Sequence, residues 1–407
     1  MTEITRARRW RVGTRLSGTR SRIRWGDVIN LRVPDPTNTS RLKGRIAHAV
    51  TKVERAVGRR GRLTTRHVPS AGAMYPYELL LCTRDLRKHV LLDLAQRQVV
   101  TRARDHFPVD DEEYVCLLVG RPWLSMRKYG PRGYLYHLID IGHAIVNLGL
   151  VNSSRSFSCK SLDSPPPLRF QGVRGDVVAI GAISAECVGS VAENWTLVST
   201  AGREIQLGRC EFEDWATQII PPGKNRPVMF DALDTGEPDL AAYISQRKSA
   251  SRFISYDRLA ELKPMLSDGL DTTHSILRRL RLPQPGIHIV DQNIVTAISP
   301  TDLLSGLAGQ RHLTGAEAFI VMSSPKASNN TAIDGTRQSL LLASGVIGEV
   351  FYLLGVRHGI GVTGVGGIDA NFWNTLLSPG QQATYIIAIG NPVESDKFDA
   401  IYPGAHR

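Results

Sequence analysis

Tyr134-Leu-Tyr-His-Leu-Ile-Asp-Ile-Gly-His-Ala-Ile-Val-Asn-Leu148 reads as a long, mostly buried helix, apolar on nearly every face. Arg337-Gln-Ser-Leu-Leu-Leu-Ala-Ser-Gly-Val-Ile-Gly-Glu-Val-Phe351 repeats the pattern, and Gly142 falls on Gly345 at an offset of 203 residues. The flanks repeat as well. Tyr114-Val-Cys-Leu-Leu-Val119 matches Ala318-Phe-Ile-Val-Met322 about 204 residues later, and Val177-Val-Ala-Ile-Gly181 matches Ile386-Ile-Ala-Ile-Gly390 at offset 209. Each of these four reads as a short buried strand. Strand, long helix, strand thus recurs in one order at nearly one spacing, which predicts an α+β chain built from two copies of one domain. The expected division is a basic arm over 1–24, a first copy over 25–235 and a second over 236–407. The seam is the Pro/Gly-rich stretch from Pro221 to Pro238.

Working outward, the chain has 407 residues, 42% hydrophobic and 22% charged, which excludes a disordered polymer and a fibrous repeat. The net charge of +12 invites a nucleic-acid or membrane-surface reading, and its position decides how far to follow it. Residues 1–66 hold 18 basic and 4 acidic residues, a net of +14, so the remaining 341 carry −2. A charge run of this kind is first a solvated tail and second a docking arm for an acidic peptide or nucleic acid. No apolar run is expected to reach the roughly 18–20 residues of a membrane span, and the N-terminus lacks the apolar core of a signal peptide, so a cytoplasmic protein is expected. The five cysteines, Cys82, Cys116, Cys159, Cys187 and Cys210, never form C-x-x-C, which argues against a disulfide framework or a metal site. Cys116 lies in an apolar run and reads as a core thiol.

Four stretches could carry chemistry. Arg66-His-Val-Pro-Ser-Ala-Gly-Ala-Met-Tyr-Pro76 precedes an apolar strand, Glu78–Cys82, and its small residues let backbone N–H groups approach a flat or anionic ligand; alone it is an ordinary turn. Lys128-Tyr129-Gly130 leads into the first long helix, and a lysine beside a tyrosine can favour the phenolate, although most such pairs are surface residues. Arg247-Lys-Ser-Ala-Ser-Arg-Phe253 places cations and hydroxyls before the helical pattern Asp257–Leu262, a combination suited to a phosphate. Gly359-Ile-Gly-Val-Thr-Gly-Val-Gly-Gly367 contains G-x-G-x-x-G but follows a helix, with no βαβ unit around it. It reads as a glycine-rich loop offering amides to a ring or carbonyl, or as a flexible connection.

Together these stretches resemble the nitroreductase superfamily of flavin proteins, and within it the SagB/ThcOx-type azoline dehydrogenases. The carrying residues are Pro69-Ser-Ala-Gly-Ala-Met-Tyr-Pro76, Lys128-Tyr-Gly130, Arg247-x-Ser249 with Phe253, and Thr363-Gly-Val-Gly-Gly367. The resemblance spans about 41–183 and 240–392. It implies a duplicated nitroreductase-like fold in which the two copies form an intrachain pseudodimer around one FMN. The second copy matches the R-x-S and late glycine motifs, whereas the first matches P-S-A-G and K-Y. The mirror-image site looks degenerate, with Ser161–Pro167 in place of a glycine loop and no P-S-A-G counterpart near Leu282-Pro-Gln-Pro-Gly286.

Carried over by the resemblance, Arg247 and Ser249 hold the FMN phosphate or ribityl chain with help from Arg252, and Ser251 stands where the family usually has a second cation. Ser70, Ala71 and Gly72 face the isoalloxazine; Val365, Gly366 and Gly367 offer N–H groups near the flavin N5 edge. Lys128 and Tyr129 are the expected catalytic pair, Tyr129 removing a proton with the help of Lys128. The implied activity is oxidation of thiazoline or oxazoline rings in a ribosomally made peptide, with the modified precursor peptide as substrate and a cyclodehydratase as partner. Nucleic acid and membrane partners are disfavoured, and further association of chains is left open. The alternatives are another FMN-dependent oxidation or NAD(P)H-driven reduction, or a flavin-free scaffold of a peptide-modifying complex.

Overall fold

The computed structural model describes residues 38–60, 65–86, 88–102, 107, 110–152, 176–200, 227–233, 240–254, 259–326 and 335–393. The N-terminal arm, Ser161–Pro167, Cys159 and Cys210 lie outside them. The strands are β1 (Asn38–Lys43), β2 (Tyr77–Cys82), β3 (His89–Asp93), β4 (Gln98–Arg102), β5 (Glu113–Gly120), β6 (Asp176–Ser184), β7 (Val191–Thr200), β8 (Val228–Phe230), β9 (Phe253–Ile254), β10 (Gly286–Val290), β11 (Ala318–Pro325), β12 (Gly361–Gly364) and β13 (Gln381–Pro392). The first eight form one sheet in the order β1-β7-β4-β3-β2-β5-β6-β8, and the rest form a second, β10-β11-β13-β12, with β9 paired to β13. The helices are α1 (Arg45–Val57), α2 (Pro122–Tyr129), α3 (Gly133–Val151), α4 (Leu259–Arg279), α5 (Gln292–Ala297), α6 (Pro300–Gly306), α7 (Gly335–His358) and α8 (Ala370–Asn374).

A common core recurs in both sheets. β2-β5-β6 is an antiparallel run in the first and β10-β11-β13 in the second. In each copy a helix precedes the run, α1 or α4, and the long helix α3 or α7 joins its second and third strands. α1 is amphipathic: Ile46, Ala49, Val50, Val53 and Val57 recur at helical spacing and are all buried. α3 and α7 have no such polar side, and both are buried almost throughout. Side chains such as Ile141, Ile145, Val350 and Phe351 are fully inside, each worth about 1.5–3 kcal/mol of transfer free energy. Both helices are long and apolar enough to cross a membrane by length and composition, which corrects the expectation that no segment approaches that length; they are core helices packed on each other.

The two long helices cross at the matched glycines. A Cβ built on Gly142 would lie 2.9 Å from Gly345 Cα, and one built on Gly345 would lie 2.9 Å from Gly142 Cα. A reciprocal contact between equivalent residues is the signature of an isologous, twofold interface. Here it lies within one chain, so the two copies form an intrachain pseudodimer. Only hydrogen at Cα lets the backbones approach this closely.

Two sequence readings need adjustment. The glycine run 359–367 is not wholly a loop: Gly361–Gly364 is β12, at the edge of the second sheet, and the loop proper starts at Val365. β8, inside the Pro/Gly-rich seam, pairs in parallel with β6 and closes the first sheet. Cys82 and Cys116 are buried free thiols on neighbouring strands, as the apolar context of Cys116 predicted, whereas Cys187 is exposed.

Candidate functional site

The turn before β2 carries the first part of the site. Ala71–Ala73 is a single 3-10 turn, and three residues in and just after it have positive φ: Gly72 (61°), Ala73 (55°) and Tyr75 (44°). Such angles are uncommon for residues with a Cβ. Ala73 N–H donates to the Ser70 carbonyl at 3.0 Å, and Tyr75 N–H donates to Ser70 Oγ at 2.9 Å. Gly72 is at the crest, where a Cβ would collide with Lys128 Nζ and Tyr129 Oη. Lys128 and Tyr129 end α2, and the Tyr129 ring packs edge-on to Tyr136 of α3 at 5.0 Å. The P-S-A-G turn and the K-Y pair, more than fifty residues apart in sequence, are therefore in contact.

Burial acts on the protonation of both Lys128 and Tyr129. Burial pushes the Tyr129 phenol well above its ordinary value, and Tyr136 and Asp140 add to the rise. Desolvation pulls the Lys128 ammonium down. Burial thus acts on both groups in the direction of the uncharged form, although Lys128 keeps an exposed surface.

The second copy reaches into the same place. Arg247 is buried; its Nε–H donates to the His67 carbonyl at 2.5 Å and its Nη2–H to the Arg66 carbonyl at 3.2 Å. Its guanidinium lies 5.2 Å from the Tyr352 ring, and its Nη1 is buried with no hydrogen-bond partner. Among the described residues no carboxylate pairs with it. Arg60 and Arg66 complete a cationic cluster: Arg66 lies over Tyr75 at 4.5 Å, and Arg60 is pulled down by burial and then by the Arg247 charge. Burial, Arg60 and Arg247 together push His67 down to about 4. A buried, carboxylate-free guanidinium among other cations suits a phosphate, so this cluster fits the anionic end of FMN. Ser249 Oγ is 3.0 Å from Tyr352 Oη, which also accepts from Gly364 N–H at 2.6 Å. Ser249 is thus tied to α7, and Tyr352 links it on to β12 through Gly364. Arg252 is not brought to the cluster; it is exposed before β9, with its carbonyl accepting from Val393 N–H.

The glycine loop lies against the first copy. The Gly366 carbonyl accepts from Tyr136 Oη, and the Ile368 carbonyl accepts from Arg132 Nη1 at 2.8 Å. Gly366 is open on its Cβ side, with nothing within 4 Å, and the Gly367 carbonyl accepts from Gln310 Nε2 at 2.7 Å. Val365 is a correction: it is buried, and its N–H donates to the Ile386 carbonyl at 2.8 Å as the loop leaves the sheet, so it is committed to backbone pairing.

Sequence reasoning assigned no role to Tyr136, Asp140, Tyr352 or Arg132. Asp140 is the sole acid of α3 and is buried; Ser70 Oγ donates to its Oδ2 at 2.5 Å and Ala71 N–H to its Oδ1 at 3.4 Å. The signal that could have found it is the one acid in a helix that is otherwise mostly apolar, since buried polar groups are kept where they have partners.

No family model matches this sequence, and no curated protein does. Among solved structures, the chain is similar to a protein from Anabaena variabilis classed as a nitroreductase, with a TM-score of 0.53 and 14% identity over 86% of this chain and 88% of that one. A nitroreductase-like family protein from Bacillus cereus covers 39% of this chain and 88% of its own length at 17% identity and a TM-score of 0.29. A protein from Staphylococcus epidermidis classed as an NAD(P)H:FMN oxidoreductase covers 39% and 89% at 12% identity and a TM-score of 0.30. The chain has the nitroreductase fold, extended over both of its copies.

Proposed function

We propose that this chain is an FMN-dependent oxidoreductase that dehydrogenates thiazoline or oxazoline rings in a ribosomally made peptide to azoles. One observation carries the reading: Lys128 and Tyr129 converge on Gly72 of the P-S-A-G turn, within a site to which the second copy brings Arg247 and the loop at Gly366. The reading keeps the division at 235/236, with the turn and the K-Y pair in one copy and the R-x-S and glycine motifs in the other.

Arg247, with Arg60 and Arg66, would hold the phosphate; Ser249 would steady the ribityl side through its bond to Tyr352. Ser70, Ala71 and Gly72 would meet the ring from one side and Gly366 and Gly367 from the other. Bound FMN supplies the two-electron acceptor for the hydride that leaves the azoline ring, a role no side chain can fill. The remaining task is the proton. The proton is assigned to the Lys128–Tyr129 pair, the two titratable groups that meet at Gly72. Each turnover removes one proton and one hydride, and the ring gains aromatic stabilisation. The substrate is a precursor peptide already cyclised by a cyclodehydratase, for which the basic N-terminal arm is a docking element. The test is to offer the purified chain an azoline-bearing peptide: a mass loss of 2 Da per ring supports the reading. Steady NAD(P)H consumption with a nitroaromatic and an unchanged peptide would replace it with the reductase reading.

A further inference from the structure

Both carboxylate oxygens of Asp140 engage the turn that carries Gly72, through Ser70 Oγ and Ala71 N–H. That turn is strained at Ala73 and Tyr75. Its other fastenings among the described residues are mostly within the segment itself: Ala73 N–H and Tyr75 N–H both return to Ser70, Tyr77 N–H donates to the Tyr75 carbonyl at 2.8 Å, and Arg66 reaches Tyr75 through its N–H, at 2.6 Å to Oη, and its guanidinium, at 4.5 Å from the ring. Ser70 is therefore the hub of the turn, and Asp140 is what fixes Ser70 to the rigid helix at the centre of the molecule.

We propose that Asp140 is a positioning residue of the site, clipping the strained 70–75 turn to α3 so that Gly72 stays against Lys128 and Tyr129. The inference rests on the reading of Lys128 and Tyr129 as the proton-handling pair. A purely architectural need does not explain a carboxylate here. No cation pairs with Asp140 among the described residues, and at the pseudo-symmetric position α7 carries Ala343, which supports the same helix crossing without charge.

The clip is also sensitive to pH. The groups that face Asp140 are Tyr75 and Tyr77 from the turn and β2, Tyr129 from α2, Tyr136 on its own helix and Tyr385 from β13. His143 lies three residues along α3, and the cations Lys128 and Arg66 stand beside Gly72 and Tyr75. Burial pushes the carboxyl up to about 7, against the pull of the Ser70 and Ala71 bonds. As a carboxylate it accepts from both; once protonated, its hydroxyl and the Ser70 hydroxyl compete for one hydrogen-bond axis. The folded value lies above the unfolded one, so this group favours the folded state at acid pH. Stability then falls as pH rises from about 4 to about 7.

The experiment compares the full-length chain as purified with Asp140→Ala and Asp140→Asn, by hydrogen exchange of the peptide spanning 66–77, by melting against pH, and by kcat and KM against pH on an azoline peptide. Asp140→Ala should speed exchange at 71–75 by about tenfold or more and lower kcat about tenfold or more with KM little changed. Asp140→Asn keeps an acceptor for Ala71 N–H, so exchange stays slow. It should flatten the kcat profile near pH 7 and melt above the native chain at pH 8 but not at pH 4. Unchanged exchange in Asp140→Ala, or an Asp140→Asn profile superimposable on the native one, would overturn the proposal. If the alanine variant does not fold, the asparagine profile and melts decide. Should no azoline be oxidised at all, exchange and melting still report on the clip, so the two failures are told apart.

Discussion

The crossing of α3 and α7 at Gly142 and Gly345 relates two sides of the molecule that are furnished very differently. On one side α3 presents Tyr136, Asp140 and His143, and α7 presents Glu349 and Tyr352. At the offset of 203 residues fixed by the glycine contact, the other side has Ser339, Ala343 and Val346 on α7, and Val146 and Gly149 on α3. On the polar side Asp140 bonds Ser70, Tyr136 bonds Gly366 and Tyr352 bonds Ser249 and Gly364, while Glu349 lies 3.3 Å from His143 with neither carboxylate oxygen hydrogen-bonded among the described residues. On the other side Leu233, just after β8, packs onto Gly149, and its N–H donates to the Gly149 carbonyl at 2.9 Å. A buried polar group left unpaired costs about 1–3 kcal/mol, so buried tyrosines and carboxylates persist where a site employs them. The difference supports the proposal of one composite site that uses both copies; at the pseudo-symmetric place, Leu233 occupies the space over Gly149.

The largest way to break this comparison is chemical. Replacing Lys128 by Met together with Tyr129→Phe should lower azoline turnover by about 100-fold or more while flavin stays bound. Steady-state kinetics and absorbance on one preparation check it, and undiminished turnover would remove the K-Y pair from the site. Next comes the crossing itself. Gly345→Leu forces a side chain into the Ile139 carbonyl and the Gly142 backbone, so denaturant unfolding should show a loss of about 3 kcal/mol. Both sheets should melt in one transition; a second, unshifted transition would mean that the copies fold independently.

Smaller effects separate the cationic cluster from its surroundings. Arg247→Ala should weaken FMN binding about tenfold, read by flavin titration of the stripped chain, because a charge-assisted hydrogen bond is lost. It should also move His67. Since that imidazole is held at about 4 in the fold, the folded state binds fewer protons than the unfolded one between about 4 and 6.5, and stability drops as pH falls through that window. Removing the Arg247 charge raises the His67 value and shrinks the acid loss, a change visible in melts at pH 5 against pH 7. The smallest effect belongs to the mirror side: Ser339→Ala should stay within about 0.5 kcal/mol and leave flavin content unchanged.

Much of this architecture was legible in the sequence because its main evidence is local. Two apolar stretches of helical length, each flanked by apolar strands, announced the duplication and aligned Gly142 with Gly345; that the two touch is seen only in the fold. The sheet extension through β1, β7 and β4 was not legible, since the parallel pairing of β4 with β7 joins residues almost a hundred apart and leaves no local periodicity. In the site, residue type gave the motifs, and pairing decided their use. Nothing near Val365 reveals that its amide serves Ile386, and nothing near Asp140 points to Ser70, seventy residues earlier. The environment of Tyr129 was half legible for a related reason: its lysine neighbour is visible in sequence, whereas its burial against Tyr136 exists only in the fold.

The central claim is that the duplicated fold keeps one site out of two. Flavin stoichiometry tests it most directly: the full-length chain, reconstituted with excess FMN and freed of unbound cofactor, should release one FMN per polypeptide on denaturation. Two per chain would contradict the account of the mirror side, and none would contradict the site itself.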